Sequence, residues 1–255
     1  MLFTDTHTHL YTEEFSPDRD LLISEAISSG VQRFFLPNID STSVESLTQL
    51  VEKYPSNCFP MMGLHPCSVK ENWQQELGLV EKLLSEHKYV AVGEIGMDLF
   101  WDKTFVKEQE IVFKKQVELA NHYKLPLSIH SRDSFEEIFQ ILLSTKKEMS
   151  CGIFHCFTGN AEQAQRAIDL GFYLGIGGVV TFKNSGLDKV IADIPLQHLV
   201  LETDAPYLAP VPFRGKRNHP VYIIKVAEKI AEIKNIPLEE AARITTENAS
   251  TIFGF

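Results

Sequence analysis

Eight short runs rich in β-branched and aromatic residues alternate with longer amphipathic stretches along the 255-residue chain, and no other feature restricts its fold as tightly. The first run begins at Leu2 and Phe3. The others are Val31 to Pro37, Cys58 to Leu64, Tyr89 to Glu94, Pro126 to His130, Cys151 to Phe157, Phe172 to Ile176 and His198 to Thr203. Between them, helical spacing covers Asp18 to Ser28, Ser43 to Tyr54, Trp73 to His87, Phe105 to Tyr123, Ser134 to Thr145 and Ala161 to Leu170. Strict alternation predicts parallel strands joined by right-handed crossovers. Eight such units predict an α/β fold closed as a (β/α)8 TIM barrel, which commonly uses about 250 residues as one unit. The seventh connection is the weakest: Gly175, Gly177 and Gly178 precede a short segment, Leu187 to Ile194, ended by Pro195, so a loop and a short helix are expected there. Pro206, Pro210 and Pro212 then force an irregular loop to near Pro220, followed by extra C-terminal helices over Val221 to Lys234 and Leu238 to Thr246. Without a linker, repeat or low-complexity segment, one domain over 1–255 is expected.

Composition narrows the function classes. No apolar run reaches the length of a membrane helix, so neither a span nor an anchor is expected. The N-terminus lacks a basic start and an uninterrupted apolar stretch, which argues against a signal peptide. Cys58, Cys67, Cys151 and Cys156 show neither Cys-x-x-Cys spacing nor scaffold density, which fits reduced, mostly buried thiols in a cytoplasmic protein. A net charge of −10 excludes a broad basic surface for wrapping nucleic acid. A polynucleotide would have to be met by a local patch or by divalent ions in an acidic site.

In a barrel, the chemistry gathers at the C-terminal ends of the strands. His7 and His9, within Asp5-Thr6-His7-Thr8-His9-Leu10, share one face of an extended chain and can offer two imidazoles to one ion. Glu94 is expected to end strand four, His130 strand five and His155 strand six, with Asp204 following strand eight. Singly, each has a bland reading: a solvated loop carboxylate, a satisfied core histidine, a turn cap. Five strand ends each supplying a ligand-type residue is a different matter, and six nitrogen and oxygen donors on one rim can hold two divalent ions. Gly93 and Gly96 flank Glu94 and allow backbone and ligand to approach closely. Glu202 shares a face with Asp204 and is read as orienting a ligand from deeper in the barrel. His65 is read as a substrate contact, and His87, His122 and His198 as structural or surface groups. Asp98 receives no role.

The strings Asp-Thr-His-Thr-His-Leu, Gly-Leu-His-Pro, Val-Gly-Glu-Ile-Gly-Met-Asp, Ile-His-Ser-Arg, Phe-His-Cys-Phe-Thr-Gly and Leu-Glu-Thr-Asp-Ala-Pro-Tyr-Leu resemble those of the TatD family of metal-dependent deoxyribonucleases, within the amidohydrolase-like barrels. The resemblance runs from residue 5 to Asn248. It implies a two-metal hydrolase in which His7, His9 and Asp204 hold one ion, His130 and His155 the other, and Glu94 bridges them. One departure stands out: Arg217-Asn218-His219-Pro220 carries His where the family commonly has Glu, which puts substrate preference in doubt rather than the metals.

The expected activity is exonuclease-type hydrolysis of DNA phosphodiesters, with DNA strands or ends as partner and no obligate protein partner. The paired ions, magnesium, manganese or zinc, would activate a water, and Asp204 with Glu94 would serve the chemistry. Arg214, Lys216 and Arg217 form a compact basic cluster near the predicted rim; with Arg132, His65 and Asn218 they are the candidate substrate contacts. Three alternatives remain open: a small-molecule amide, lactone or phosphoester hydrolase, an aminoacyl-RNA ester hydrolase, and a metal-binding scaffold without turnover. Related small-molecule hydrolases often bridge their metals with a carboxylated lysine at the end of strand four, and Glu94 in that place favours the nuclease-like branch.

Overall fold

Parallel strands buried on both faces need almost continuous apolar runs, and the eight runs supply them. The computed structural model describes residues 1–145 and 151–255. Its strands are β1 (Phe3–Asp5), β2 (Val31–Pro37), β3 (Cys58–Met62), β4 (Ala91–Asp98), β5 (Leu127–Arg132), β6 (Gly152–Phe154), β7 (Phe172–Ile176) and β8 (Leu199–Leu201). They pair in chain order and all in parallel. The crossovers carry α1 (Arg19–Ser28), α2 (Val44–Lys53), α3 (Trp73–Glu86), α4 (Val106–Tyr123), α5 (Phe135–Ser144), α6 (Ala161–Asp169) and α7 (Leu187–Asp193). Then follow α8 (Ile223–Lys234) and α9 (Leu238–Phe253). This is the expected (β/α)8 barrel, including the weak seventh unit, where a single 3-10 turn at Gly178–Thr181 precedes the seven-residue α7. No helix among the described residues is long and apolar enough to cross a membrane.

The ring closes where the backbone runs on past β1 and β8. Thr6 N donates to Leu201 O at 3.0 Å, Asp204 N to His7 O at 2.9 Å and His9 N to Ala205 O at 2.8 Å. Behind this seam the buried Asp5 carboxylate accepts from Thr203 N at 2.9 Å and Thr203 Oγ1 at 2.5 Å. The seam therefore fixes His7 and His9, which follow the first strand rather than ending it, against the aspartate that follows the eighth.

Two strands differ from expectation in a way that bears on the site. β4 does not stop at Glu94, nor β5 at His130; they pair onward through Gly96 with His130, Met97 with Ser131 and Asp98 with Arg132. Between the pairs Val92–Leu127 and Ile95–Ile129, two residues of β4, Gly93 and Glu94, stand opposite one of β5, Ser128, and such a bulge re-aims a side chain. Gly93 and Gly96 serve the neighbouring strand rather than a ligand. A Cβ on Gly93 would meet the Ser128 Cβ at 2.5 Å, and one on Gly96, at φ 134°, would meet His130 O at 2.0 Å. Among the cysteines Cys58 is buried, whereas Cys67 and Cys156 are half-buried and Cys151 is exposed, so the expectation of mostly buried thiols fails; all four are free.

α9 continues to Phe253, beyond the expected end at Thr246, because its last turns pack on the barrel. Ala249 and Ile252 join Ile153 and Val200, and the Phe253 ring stacks on Phe35 at 4.0 Å. The buried Asn248 amide donates to Leu196 O at 2.9 Å and Leu199 O at 2.7 Å, fastening the helix at the start of β8, the end opposite Asp204. Replacing Asn248 by Ala leaves two carbonyls without this donor, at about 1–3 kcal/mol. Thermal denaturation of N248A is expected to show a Tm lower by roughly 2–10 °C; an unchanged Tm would show that the amide holds nothing.

Candidate metal centre

Five imidazoles converge on one buried carboxylate. Glu94 is 2% exposed, and its Oε2 lies 3.2 Å from His7 Nε2 and 3.6 Å from His9 Nε2. Its Oε1 lies 2.8 Å from His155 Nε2, 2.9 Å from His130 Nδ1 and 3.2 Å from His65 Nε2. Asp204 Oδ1 completes the group at 3.5 Å from His9 Nε2 and 3.9 Å from His7 Nε2. The backbone of Asp204 has φ 54°, a left-handed turn that Asp tolerates better than most residues and that directs its carboxylate to this group. The rings of His7 and His155 stack at 3.7 Å.

The other nitrogen of each ring decides what the inner one can do. Tyr11 spends its hydroxyl proton on Pro37 O at 2.6 Å, so toward His9 Nδ1, at 3.0 Å, it can only accept. His9 therefore carries its proton on Nδ1, and in the neutral ring Nε2 aims a lone pair at Glu94 and Asp204. Asp98 does the same for His130: its Oδ2 lies 3.0 Å from Nε2, so a neutral ring turns its Nδ1 lone pair to Glu94, although against burial the two carboxylates raise the His130 pKa and favour a second proton there when no cation is present. His155 Nδ1 faces Glu202 Oε1 at 3.4 Å, too loose for a well-formed hydrogen bond, and Glu202 Oε2 is buried without a partner among the described residues. His7 Nδ1 meets Ser128 Oγ at 3.1 Å. His65 is the opposite case, since its Nδ1 accepts from Cys67 N at 3.0 Å and its proton is on Nε2, directed at Glu94.

Neutral imidazole lone pairs aimed at carboxylate oxygens repel them, and a divalent cation among them turns that repulsion into coordination. On this geometry the donors His7, His9, His130, His155, Glu94 and Asp204 fit metal ions, while His65 in its neutral form is a hydrogen-bond donor. Among the described residues three sets have donor atoms all within 4.8 Å of one another: His7, His9 and Glu94; His7, His155 and Asp204; and His65, Glu94 and His130. The electrostatics agree with an anionic centre. Burial opposes ionisation of Glu94, yet the positive potential of His65 and His155 holds its carboxyl well below the usual range. Burial pushes the His7 imidazole down to about 3, so that ring is neutral.

The donors open on a cleft of about 1250 Å³. Arg132 and His65 line it, as expected of substrate contacts, and so does Asp98, to which the sequence assigned no role. Arg214, Arg217 and Asn218 are not brought into it. Arg214 lies over the Phe182 ring, and Arg217 bonds Glu14 O and the Asp18 carboxylate. Asn218 is buried and donates to Thr203 O and Tyr207 O, both at 2.7 Å, pinning the loop that carries Asp204. His219 turns away, with Nδ1 accepting from Val221 N and Nε2 3.4 Å from Glu25. Asp98 and Tyr11 are the site residues that sequence reasoning missed. For Asp98 the signal was present, since Glu94 and Asp98 lie two strand periods apart.

Comparison with known proteins places the chain. The family model described as TatD related DNase matches residues 4–254. An uncharacterized metal-dependent hydrolase, YabD, of Bacillus subtilis is 41% identical over 99% of each chain. Another, YcfH of Escherichia coli, is 33% identical over 99% of this chain and 96% of its own. The crystal structure of YjjV, a TatD homolog from Escherichia coli, superposes with a TM-score of 0.93 at 32% identity, covering 99% of this chain and 98% of that one. With the barrel and its histidine and carboxylate cluster, these matches mean that the chain belongs to the TatD related DNase family and is a metal-dependent hydrolase.

Proposed function

We propose that the chain hydrolyses phosphodiester bonds of DNA with two divalent ions. His7, His9 and Asp204 would hold one, His130 and His155 the other, and Glu94 would bridge them. The observation that carries this reading is the division of labour on Glu94: Oε2 faces His7 and His9, and Oε1 faces His130 and His155. A carboxylate whose two oxygens serve two imidazole sets is suited to join two ions. The mixed nitrogen and oxygen donors suit zinc, manganese or magnesium.

When bound, such ions lower the pKa of a coordinated water and offset the charge that develops on a phosphate. The chain's own groups supply the rest. Asp204, kept ionised despite its burial by the positive field of His155, would accept a proton at a carboxylate oxygen. His65 presents Nε2–H to an oxygen at the same place. Arg132 stands at the cleft wall as a cation for the substrate phosphate. Asp98 steadies His130 from behind, and Glu202 lies 3.4 Å behind His155.

One observation favours a second reading, a small phosphoester or carboxylic ester hydrolase: Arg132 is the only Arg or Lys lining the cleft among the described residues. The two readings part in one experiment. Protein stripped with a chelator should leave single-stranded DNA intact, and added Mn²⁺ or Mg²⁺ should restore the release of nucleotides. Metal-loaded protein that leaves DNA intact but cleaves a small ester would establish the second reading instead.

The ligand assignment is tested by two substitutions. Glu94→Ala is expected to lose both ions by elemental analysis and to return hydrolysis to background; retention of two ions per chain sinks the bridging role. Asp98→Asn keeps every proposed donor but loosens the hold on His130, and a loss of roughly 10–100-fold in metal affinity or activity is expected. Wild-type metal affinity and rate in D98N would make Asp98 incidental.

A further inference from the structure

Four aromatic side chains are more than a third exposed among the described residues, namely Phe100, Trp101, Tyr207 and Phe255, and the first three line the cleft. Phe255 lies outside the cleft, where the Arg33 guanidinium is 4.1 Å from its ring centre. Exposed rings of this size forgo hydrophobic burial, and gathered at one opening they mark a surface that something else covers.

Their placement is ordered. Phe100 and Trp101 follow β4, and Tyr207 follows β8; in a ring of eight strands paired in sequence these loops stand across the mouth from each other. The donor cluster lies between. Trp101 is 68% exposed and meets Phe100 edge-on at 5.0 Å, and the Arg132 guanidinium covers the pair at 4.2 Å from Phe100 and 5.2 Å from Trp101. Asp98 Oδ1 accepts from Phe100 N at 2.9 Å and Trp101 N at 3.0 Å, while its Oδ2 holds His130. The platform is thereby built on the same carboxylate that orients a proposed ligand. Opposite, Tyr207 N donates to Asp204 O at 2.8 Å and its ring lies 6.1 Å from that of His9.

We infer that Phe100 with Trp101 and Tyr207 form two stacking walls that receive the bases on either side of the phosphodiester. The inference rests on the phosphodiesterase reading above. The chemistry favours it because one Arg lining the cleft cannot supply the affinity that proteins usually draw from neutralised phosphates. Stacking on aromatic side chains gives affinity without sequence preference, and every base has a face to offer.

The test uses thymidylyl-thymidine and a dinucleotide of the same backbone lacking both bases. In chelator-treated protein, thymidylyl-thymidine should quench the fluorescence of Trp101; Trp101→Phe, which retains Trp73, should lose that quench, and the abasic compound should quench neither. With Mn²⁺, the preference in kcat/KM for the base-bearing compound should fall about tenfold in Trp101→Ala, chiefly through KM, and recover in Trp101→Phe. Tyr207→Ala should also erode it. Hydrolysis of both compounds with equal kcat/KM and no quench would overturn the stacking walls and leave the phosphodiesterase reading standing. Quench by thymidylyl-thymidine without hydrolysis of either compound would support the walls as a nucleoside site and sink the phosphodiesterase reading.

Discussion

A carboxylate held away from water must be compensated, and at Glu94 the compensation organises everything around it. Five imidazoles surround one side chain that is almost fully buried. Not all of them can be protonated together, because their mutual repulsion in a low-dielectric interior exceeds what one carboxylate returns. The surrounding residues make sense as solutions to that problem. Tyr11, Asp98 and Glu202 each face the outer nitrogen of a histidine, and Tyr11 and Asp98 fix which nitrogen is bare toward Glu94. Removing one of them disturbs a proton's position more than it disturbs packing.

The barrel's contribution is placement. Its strands put the donors on a common rim, but rim position alone would leave Glu94 pointing along an ordinary alternation. The extra residue in β4 shifts that alternation, and Gly93 and Gly96 let β5 come close enough to keep its pairing through the irregularity. Both strands then extend far enough to carry Asp98 up beside His130. The bulge, not the barrel, accounts for Glu94 meeting both sides of the cluster.

Much of this was legible in the residues. Strand and helix alternation is a local, repeated signal, so the eight units and even the weak seventh could be read, and ligand-type residues at five strand ends stood out against chance. What escaped depends on contacts between distant segments. The end of β4 could not be read because a bulge has no period, so Asp98, although at strand spacing from Glu94, fell outside the expected strand. The close of α9 was hidden because polar Asn248 does a buried job through its amide. Arg217 and Asn218 look like phosphate contacts in sequence, since charge and amide groups are read as exposed; in the fold they are committed to Asp18 and to the backbone of Thr203 and Tyr207. His219 has the same explanation, as its ring faces Glu25 on the outer helix rather than the cleft.

The seam between the first and last strands sets the order in which the molecule can be completed. His7 and His9 leave the ribosome close to two hundred residues before Thr203 and Asp204. Until β8 is made, Asp5 has no Thr203 to receive and the donor cluster lacks its aspartate. A nascent chain thus carries an incomplete chelator, and a cation held jointly by His7, His9 and Asp204 would act as a clasp on the finished ring. Because such an ion binds the closed barrel and not the open one, each tenfold rise in its concentration above the dissociation constant would add about 1.4 kcal/mol to closure. The supply of metal in the cell and the persistence of the fold would then be tied together at the place where the two ends of the barrel meet.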